Sequence, residues 1–208
     1  MNYLNQRDNP ALFWISKIGD FCALSVLWIL LCLPIVTFIP ASIALFDSVA
    51  HCLHGSEDGP VQRFFSTLKS ELGRGILLSL IWLAVGFGLV FGFNMLFQMS
   101  QENKDLAPYA LVYLFSTLIP LSILAWVIPV QSRFEHSFFG LFRSSAVYAI
   151  AHLPTTIMLL VIFVVTVLAI YTLPVLALML PAIAVTIQCW FIERVFKKYI
   201  PQEDENDE

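Results

Sequence analysis

The chain has 208 residues, 59% hydrophobic and only 12% charged, with a mean hydropathy of +0.81 and a net charge of −4. A water-soluble domain carries about 25% charged residues, so an ordinary soluble fold is excluded. Without a sizeable basic patch, a nucleic-acid binder is excluded too. Four stretches, 21–46, 75–101, 106–132 and 144–192, contain no Asp, Glu, Lys or Arg. About 20 helical residues at about 1.5 Å each cross a hydrocarbon core of about 30 Å. The middle two stretches are therefore one span each, and the last must fold back and supply two. No removable signal peptide is evident, because the first 20 residues are polar and the apolar run after them is too long.

In chain order, Asn9-Pro10 predicts a helix start, since Asn caps and Pro at the first helical position loses only an orphan donor. The first span covers about 10–33, with Trp14 as an interfacial anchor and Lys17 and Asp20 at i,i+3 spacing. Pro34 ends this helix, because the residue before a proline is pushed out of the α region. Pro40 restarts a short return leg over 41–54, capped by Gly55 after His54. Pro34 and Pro40 together read as a structural reversal of the chain. Residues 60–72 are amphipathic, with Phe64, Phe65 and Leu68 on one face and Arg63, Ser70 and Glu71 mostly opposite. That is the pattern of a helix lying in the membrane surface. Spans over 75–99 and 109–130 follow, separated by the polar turn 101–105.

The pattern then recurs. Phe138-Phe139-Gly140-Leu141-Phe142-Arg143-Ser144 matches Phe64-Phe65-Ser66-Thr67-Leu68-Lys69-Ser70 at an offset of 74. Phe138, Phe139 and Arg143 thus predict a second interfacial helix, followed by spans over 153–171 and 174–192. An internal duplication in parallel orientation would give this pattern, and so would two unrelated interfacial helices. The expected fold is all-α: a polytopic helical membrane protein with five full spans, one short proline-broken return leg and two cytoplasmic interfacial amphipathic helices. Residues 1–200 form the membrane domain, and 201–208 an acidic, disordered tail with no assigned partner.

Basic residues set the orientation. If 21–53 crosses once, eight lie inside and three outside. If the prolines return the chain, ten lie inside and only Lys104 outside. The positive-inside rule favours the second arrangement, with both termini on the cytoplasmic side of the membrane.

Chemistry-bearing residues are sparse. Asn94 and Gln188 lie inside spans, where polar groups join helices or contact a substrate. Asp47 is the most membrane-embedded acid, one helical turn from His51. His51-Cys52-Leu53-His54 reads as a polar helix end, since Cys52 does not share a face with both histidines. Cys22, Cys32, Cys52 and Cys189 have no paired spacing and read as reduced and structural. Arg133 with Glu135 and His136 forms a surface cluster without catalytic geometry. Gly88-x3-Gly92 is a small-residue packing face, and Pro120, Pro129, Pro174 and Pro181 add kinks. No phosphate loop, GxSxG or HExxH is present. No enzyme, cofactor or metal site is expected.

Leu33-Pro34-Ile35-Val36-Thr37 followed by Ala41-Ser42-Ile43-Ala44-Leu45, with Trp28 upstream, resembles the opening signature of the YesL-like family of bacterial integral membrane proteins. His152-Leu153-Pro154-Thr155 and Glu193–Tyr199 are similar to its later landmarks. Where that family commonly has a glycine in the turn, this chain has Ile39-Pro40, which implies a stiffer reversal. Such proteins are commonly encoded beside carbohydrate ABC importers and polysaccharide-degrading enzymes. The resemblance therefore implies a non-enzymatic accessory role in carbohydrate uptake, and it carries no catalytic or binding residues. The expected partners are the lipid bilayer and either ABC importer subunits or a second copy of the chain. The alternative is a small secondary transporter with a site between the two helical hairpins.

Overall fold

The computed structural model describes residues 10–53, 59–133 and 138–196, which hold helices and turns and no strand. The expected Asn9 cap, the Trp14 and Lys17 side chains, the His54–Gly55 helix end, the Glu135–His136 pair, Lys197–Tyr199 and the 201–208 tail lie outside the described residues.

Helix α1 spans Pro10–Cys32 and α2 spans Phe38–Leu53, joined through a 3-10 turn at Ile35–Thr37. Pro34 takes an extended conformation at φ −79°, ψ 111°. The chain doubles back, so that Trp28 of α1 meets α2: its Nε1 donates to Ser42 Oγ (3.1 Å) and its ring packs edge-on against Phe38. The expected restart at Pro40 is corrected, because α2 begins at Phe38 and Pro40 lies in its first turn. Proline is tolerated there since the first four N–H groups of a helix have no intrahelical acceptor. The reversal is the work of Pro34. Pro40 instead packs against Gly75, where an added Cβ would stand 2.5 Å from Pro40 Cβ.

Helix α3 runs from Pro60 to Glu102 as one 43-residue helix, about 64 Å long. An interfacial helix over 60–72 and a separate span over 75–99 were expected. The two are continuous, because Gly73 and Gly75 cost helix stability (about 1 kcal/mol each) but retain their N–H groups. Proline has the opposite effect elsewhere. The span expected over 109–130 is broken at Thr117 into α4 (Ala107–Ser116) and α5 (Leu118–Arg133), since the Pro120 ring opposes the Ser116 carbonyl. Helix α6 (Phe138–Ala151) stops at His152 (φ −121°, ψ 53°), two residues before Pro154, and α7 spans Leu153–Thr172. The second half of the expected last hairpin opens as a 3-10 segment, Pro174–Leu178, and becomes α8 only at Leu180–Phe196.

The core is organised around α2. Every residue from Ile39 to Ala50 is buried, because α1, α3, α5 and α8 all pack against this helix. Helix α5 carries α6 and α7 on its other side, with Trp126 fully buried between them. The Trp126 ring stacks on Tyr148 at 5.5 Å, and its Nε1 donates to Thr156 Oγ1 (2.9 Å). This packing is confined to one end of the molecule. Beyond about Leu80, α3 together with α4 and the far part of α7 exposes apolar side chains around most of its circumference. Among the described residues, four helical stretches are long and apolar enough to cross a membrane: Ile35–Cys52, Pro60–Gln101, Pro108–Arg133 and Leu153–Thr172.

Candidate functional site

The charged side chains of the core gather at the end of the bundle where α2 finishes, α3 begins and α5 and α8 finish. Asp47 lies on the last turns of α2 and is 5% exposed. It faces α3, whose Arg63 and Thr67 stand one turn apart on a common side. Arg63 donates to Asp47 through Nε (2.7 Å) and Nη2 (3.4 Å), and Thr67 Oγ1 donates at 2.5 Å. His51, the next turn of α2, brings Nδ1 within 3.5 Å of Asp47 Oδ1. A buried carboxylate is costly unless paired and hydrogen-bonded, and Asp47 meets both conditions.

A second set of bonds closes the cleft. Gln131 Nε2 of α5 donates to Glu71 Oε2 (2.8 Å) of α3, and Arg133 Nη2 donates to Glu193 Oε1 (3.1 Å) of α8. Between the two sets lies a cleft of about 190 Å³, lined by Asp47, Arg63, Thr67, Ser70, Glu71 and Gln131 among others. Its charges are balanced by one another, which makes it a tie between four helices. Drug-sized ligands occupy pockets of about 300–1,000 Å³, so the cleft is small for an oligosaccharide. Among the described residues, no three His, Cys, Asp or Glu side chains converge to hold a metal ion.

Asn94, Gln188 and Asp47, the expected intramembrane polar or substrate contacts, do not converge. Asn94 is exposed on the outer part of α3, where its Nδ2 donates to Val90 O of the same helix (2.9 Å). It lies 27 residues beyond Thr67, about 40 Å along the helix axis. Gln188 is half-buried on α8. Asp47 was singled out by its position and does pair with His51. Of its stronger partners, Arg63 reads from the sequence as part of a solvent face, and Thr67 stands out only as a position of the repeated motif. The spacing of Arg63, Thr67, Ser70 and Glu71 along one side of α3 was the available signal.

The two aromatic pairs are split by the fold. Phe64 is wholly buried and Phe65 half exposed, while Phe138 packs on Phe142 at 5.3 Å and Phe139 is 83% exposed. The expectation that both members of each pair face acyl chains is corrected for Phe64, which is part of the core around α2, and for Phe138, half-buried against Phe142. Adjacent positions on a helix point about 100° apart, so one Phe of each pair turns inward. Lys69 and Arg143 are both exposed. Of the glycine face, Gly92 is taken up by α4: the Tyr113 hydroxyl sits where a Gly92 Cβ would be, and it donates to Gly88 O at 3.5 Å, while Gly88 itself is open.

These features define a helical protein with several long apolar helices, knotted at one end by a paired polar cluster. Residues 21–93, about a third of the chain, match the sequence model of a family described as a protein of unknown function, DUF624. That segment comprises most of α1, all of α2 and α3 to Phe93, so it contains the hairpin, the resemblance signature at Leu33–Leu45 and the Asp47–Arg63–Thr67 cluster. No curated protein matches the chain, and no solved structure does.

Proposed function

We propose that the chain is a non-enzymatic protein of the bacterial cell membrane that assists carbohydrate uptake by packing against subunits of an importer. Helices α3 and α4–α5 each cross the bilayer, α7 and α8 enter it as a hairpin, and both termini lie on the cytoplasmic side. Supporting that orientation, the Gln131–Glu71 and Arg133–Glu193 bonds bring the start of α3 and the ends of α5 and α8 to the same end. Among the described residues, Arg63, Arg133 and Arg194 lie at that end, as the positive-inside rule requires of the cytoplasmic face. Phe65 and Phe139 then seat in the interface beside Lys69 and Arg143, each cation gaining about 1 kcal/mol from anionic lipid.

One observation carries the docking role. The outer part of α3 exposes Phe87 (75%), Val90, Phe91 and Met95, with Gly86 open beside them. Helices associate in lipid by close packing at small residues rather than by hydrophobicity, and this surface offers a small residue flanked by a rigid Phe87–Phe91 stack. The carbohydrate assignment rests on the resemblance. Against the transporter alternative stand the small, self-paired cleft and the separation of Asn94 from Asp47.

Co-purification of the full chain with importer subunits tests the reading. The wild type is expected to retain them, and Gly86→Leu to lose them while eluting as a folded, monodisperse protein. Uptake of labelled oligosaccharide by liposomes holding this chain alone would overturn it in favour of transport.

A further inference from the structure

We propose that α1 and α2 form a re-entrant hairpin whose tip, Leu33–Phe38, stops inside the hydrocarbon layer among the acyl chains of the leaflet adjoining the Asp47 cleft. This holds whether or not an importer partner is found.

Contacts along α3 fix the depth of the tip. Asp47 is level with Arg63 and Thr67, Pro40 with Gly75, and the Ile39 N–H with Ser79 Oγ, to which it donates at 3.3 Å. The hairpin thus ends near Ser79, and α3 continues for 23 residues past it to Glu102, about 34 Å further. That continuation is the charge-free, apolar part of α3, exposing Phe87, Val90, Phe91 and Met95. A tip at the far membrane surface would leave all of this in water. The last exposed cation before the charge-free stretch is Arg74, one residue before Gly75, so the hydrocarbon begins about there. Ser79 lies about 8 Å beyond Arg74, inside the first of two leaflets of about 15 Å each.

The chemistry of the tip agrees with that depth. Its outward side chains are apolar, with Leu33 74% and Ile35 64% exposed, and no charged residue occurs between Asp20 and Asp47. Irregular backbone in hydrocarbon is costly because each unpaired polar group costs several kcal/mol. Here several of these groups are paired. Thr37 N–H donates to Pro34 O (2.9 Å), Phe38 N–H to Ile35 O and Ile39 N–H to Ser79, while the Thr37 hydroxyl reaches the carbonyls of Leu31 and Pro34. Pro34 and Pro40 contribute no N–H at all. Two prolines at a turn within lipid therefore remove two donors that would otherwise need partners.

The test uses the full chain in phosphatidylcholine liposomes, with its four cysteines replaced by Ala and single probes introduced as Ile35→Cys or Leu33→Cys. Ser66→Cys and Gln101→Cys, both exposed in the fold, report the two aqueous sides. The tip thiols are expected to lose labelling by a membrane-impermeant maleimide from both sides. A fluorophore attached there in detergent before reconstitution should be quenched more by nitroxides within the acyl chains than by nitroxides at the headgroups. Labelling from the Gln101 side would make the hairpin a full span, and labelling from the Ser66 side would put it outside the bilayer. Absence of both labelling and acyl-chain quenching would mean protein covers the tip. Each of these three results overturns the proposal. If the cysteine-free chain does not elute as a monodisperse species, a diazirine amino acid at Ile35 in the native background gives the same decision through its crosslink to phospholipid, water or protein.

Discussion

Neutralising Arg63 should harm the protein more than neutralising Asp47, although the two form one ion pair. In Arg63→Gln the Asp47 carboxylate stays 5% exposed and keeps only Thr67 and His51 as neighbours. Removing one partner of a fully buried pair costs about 3–5 kcal/mol, whereas an exposed pair contributes about 0–1 kcal/mol. The Arg63 side chain is 38% exposed and that of Asp47 7%, so the cost lies between these limits, at about 2 kcal/mol. Asp47→Asn is milder. It keeps an acceptor oxygen for Thr67 and Arg63 and leaves no charge buried without a partner, so the net loss is about 1 kcal/mol. For chains of 150–250 residues each kcal/mol moves the midpoint by about 2–4 °C, which predicts falls of about 4–8 °C and about 2–4 °C respectively. The double variant should fall by less than the sum, because neither charge is then stranded. Thermal unfolding in detergent, read as loss of the monodisperse size-exclusion peak, measures all three. Equal costs for the two single variants, or strict additivity in the double, would refute the reading of Asp47 as a buried charge dependent on Arg63.

The α2–α3 crossing should discriminate between two neighbouring glycines. Gly75→Ala places a Cβ 2.5 Å from Pro40 Cβ and is expected to cost about 1–3 kcal/mol by overpacking. Gly73→Ala meets nothing within 4 Å and should stabilise by about 0.5–1 kcal/mol through helix propensity; the same thermal assay reads both, and equal effects would contradict the close approach. Pro154→Ala removes the block behind the His152 break, so α6 and α7 should straighten toward a continuous helix like α3. Spin labels at Phe139 and Ile157 would then move apart in pulsed distance measurements, and an unchanged distance would assign the break to packing instead.

Much of the architecture was legible in the chain itself. The lengths of the charge-free stretches predicted long apolar helices, and Pro34 and Pro154 mark two of the places where helices end. Proline acts through its own ring and missing N–H, so its effect is local, although Pro40 and Pro129 lie inside α2 and α5 without ending them. Where sequence reading placed a boundary on glycine, at Gly73–Gly75, the helix ran on, because glycine weakens a helix without obstructing its hydrogen bonds.

Tertiary structure alone decided which helix lies at the centre. The 41–54 leg looked like the most marginal element and became the hub, with every residue from Ile39 to Ala50 buried. The partners of Asp47 lie 16 and 20 residues away on the next helix, and no local pattern brings the two helices together. Nor could hydropathy separate Phe64 from Phe65, or α2 from the outer part of α3. Protein interior and lipid are equally apolar, so a residue packed against another helix and one facing acyl chains obey the same composition, and only the positions of the neighbouring helices tell them apart.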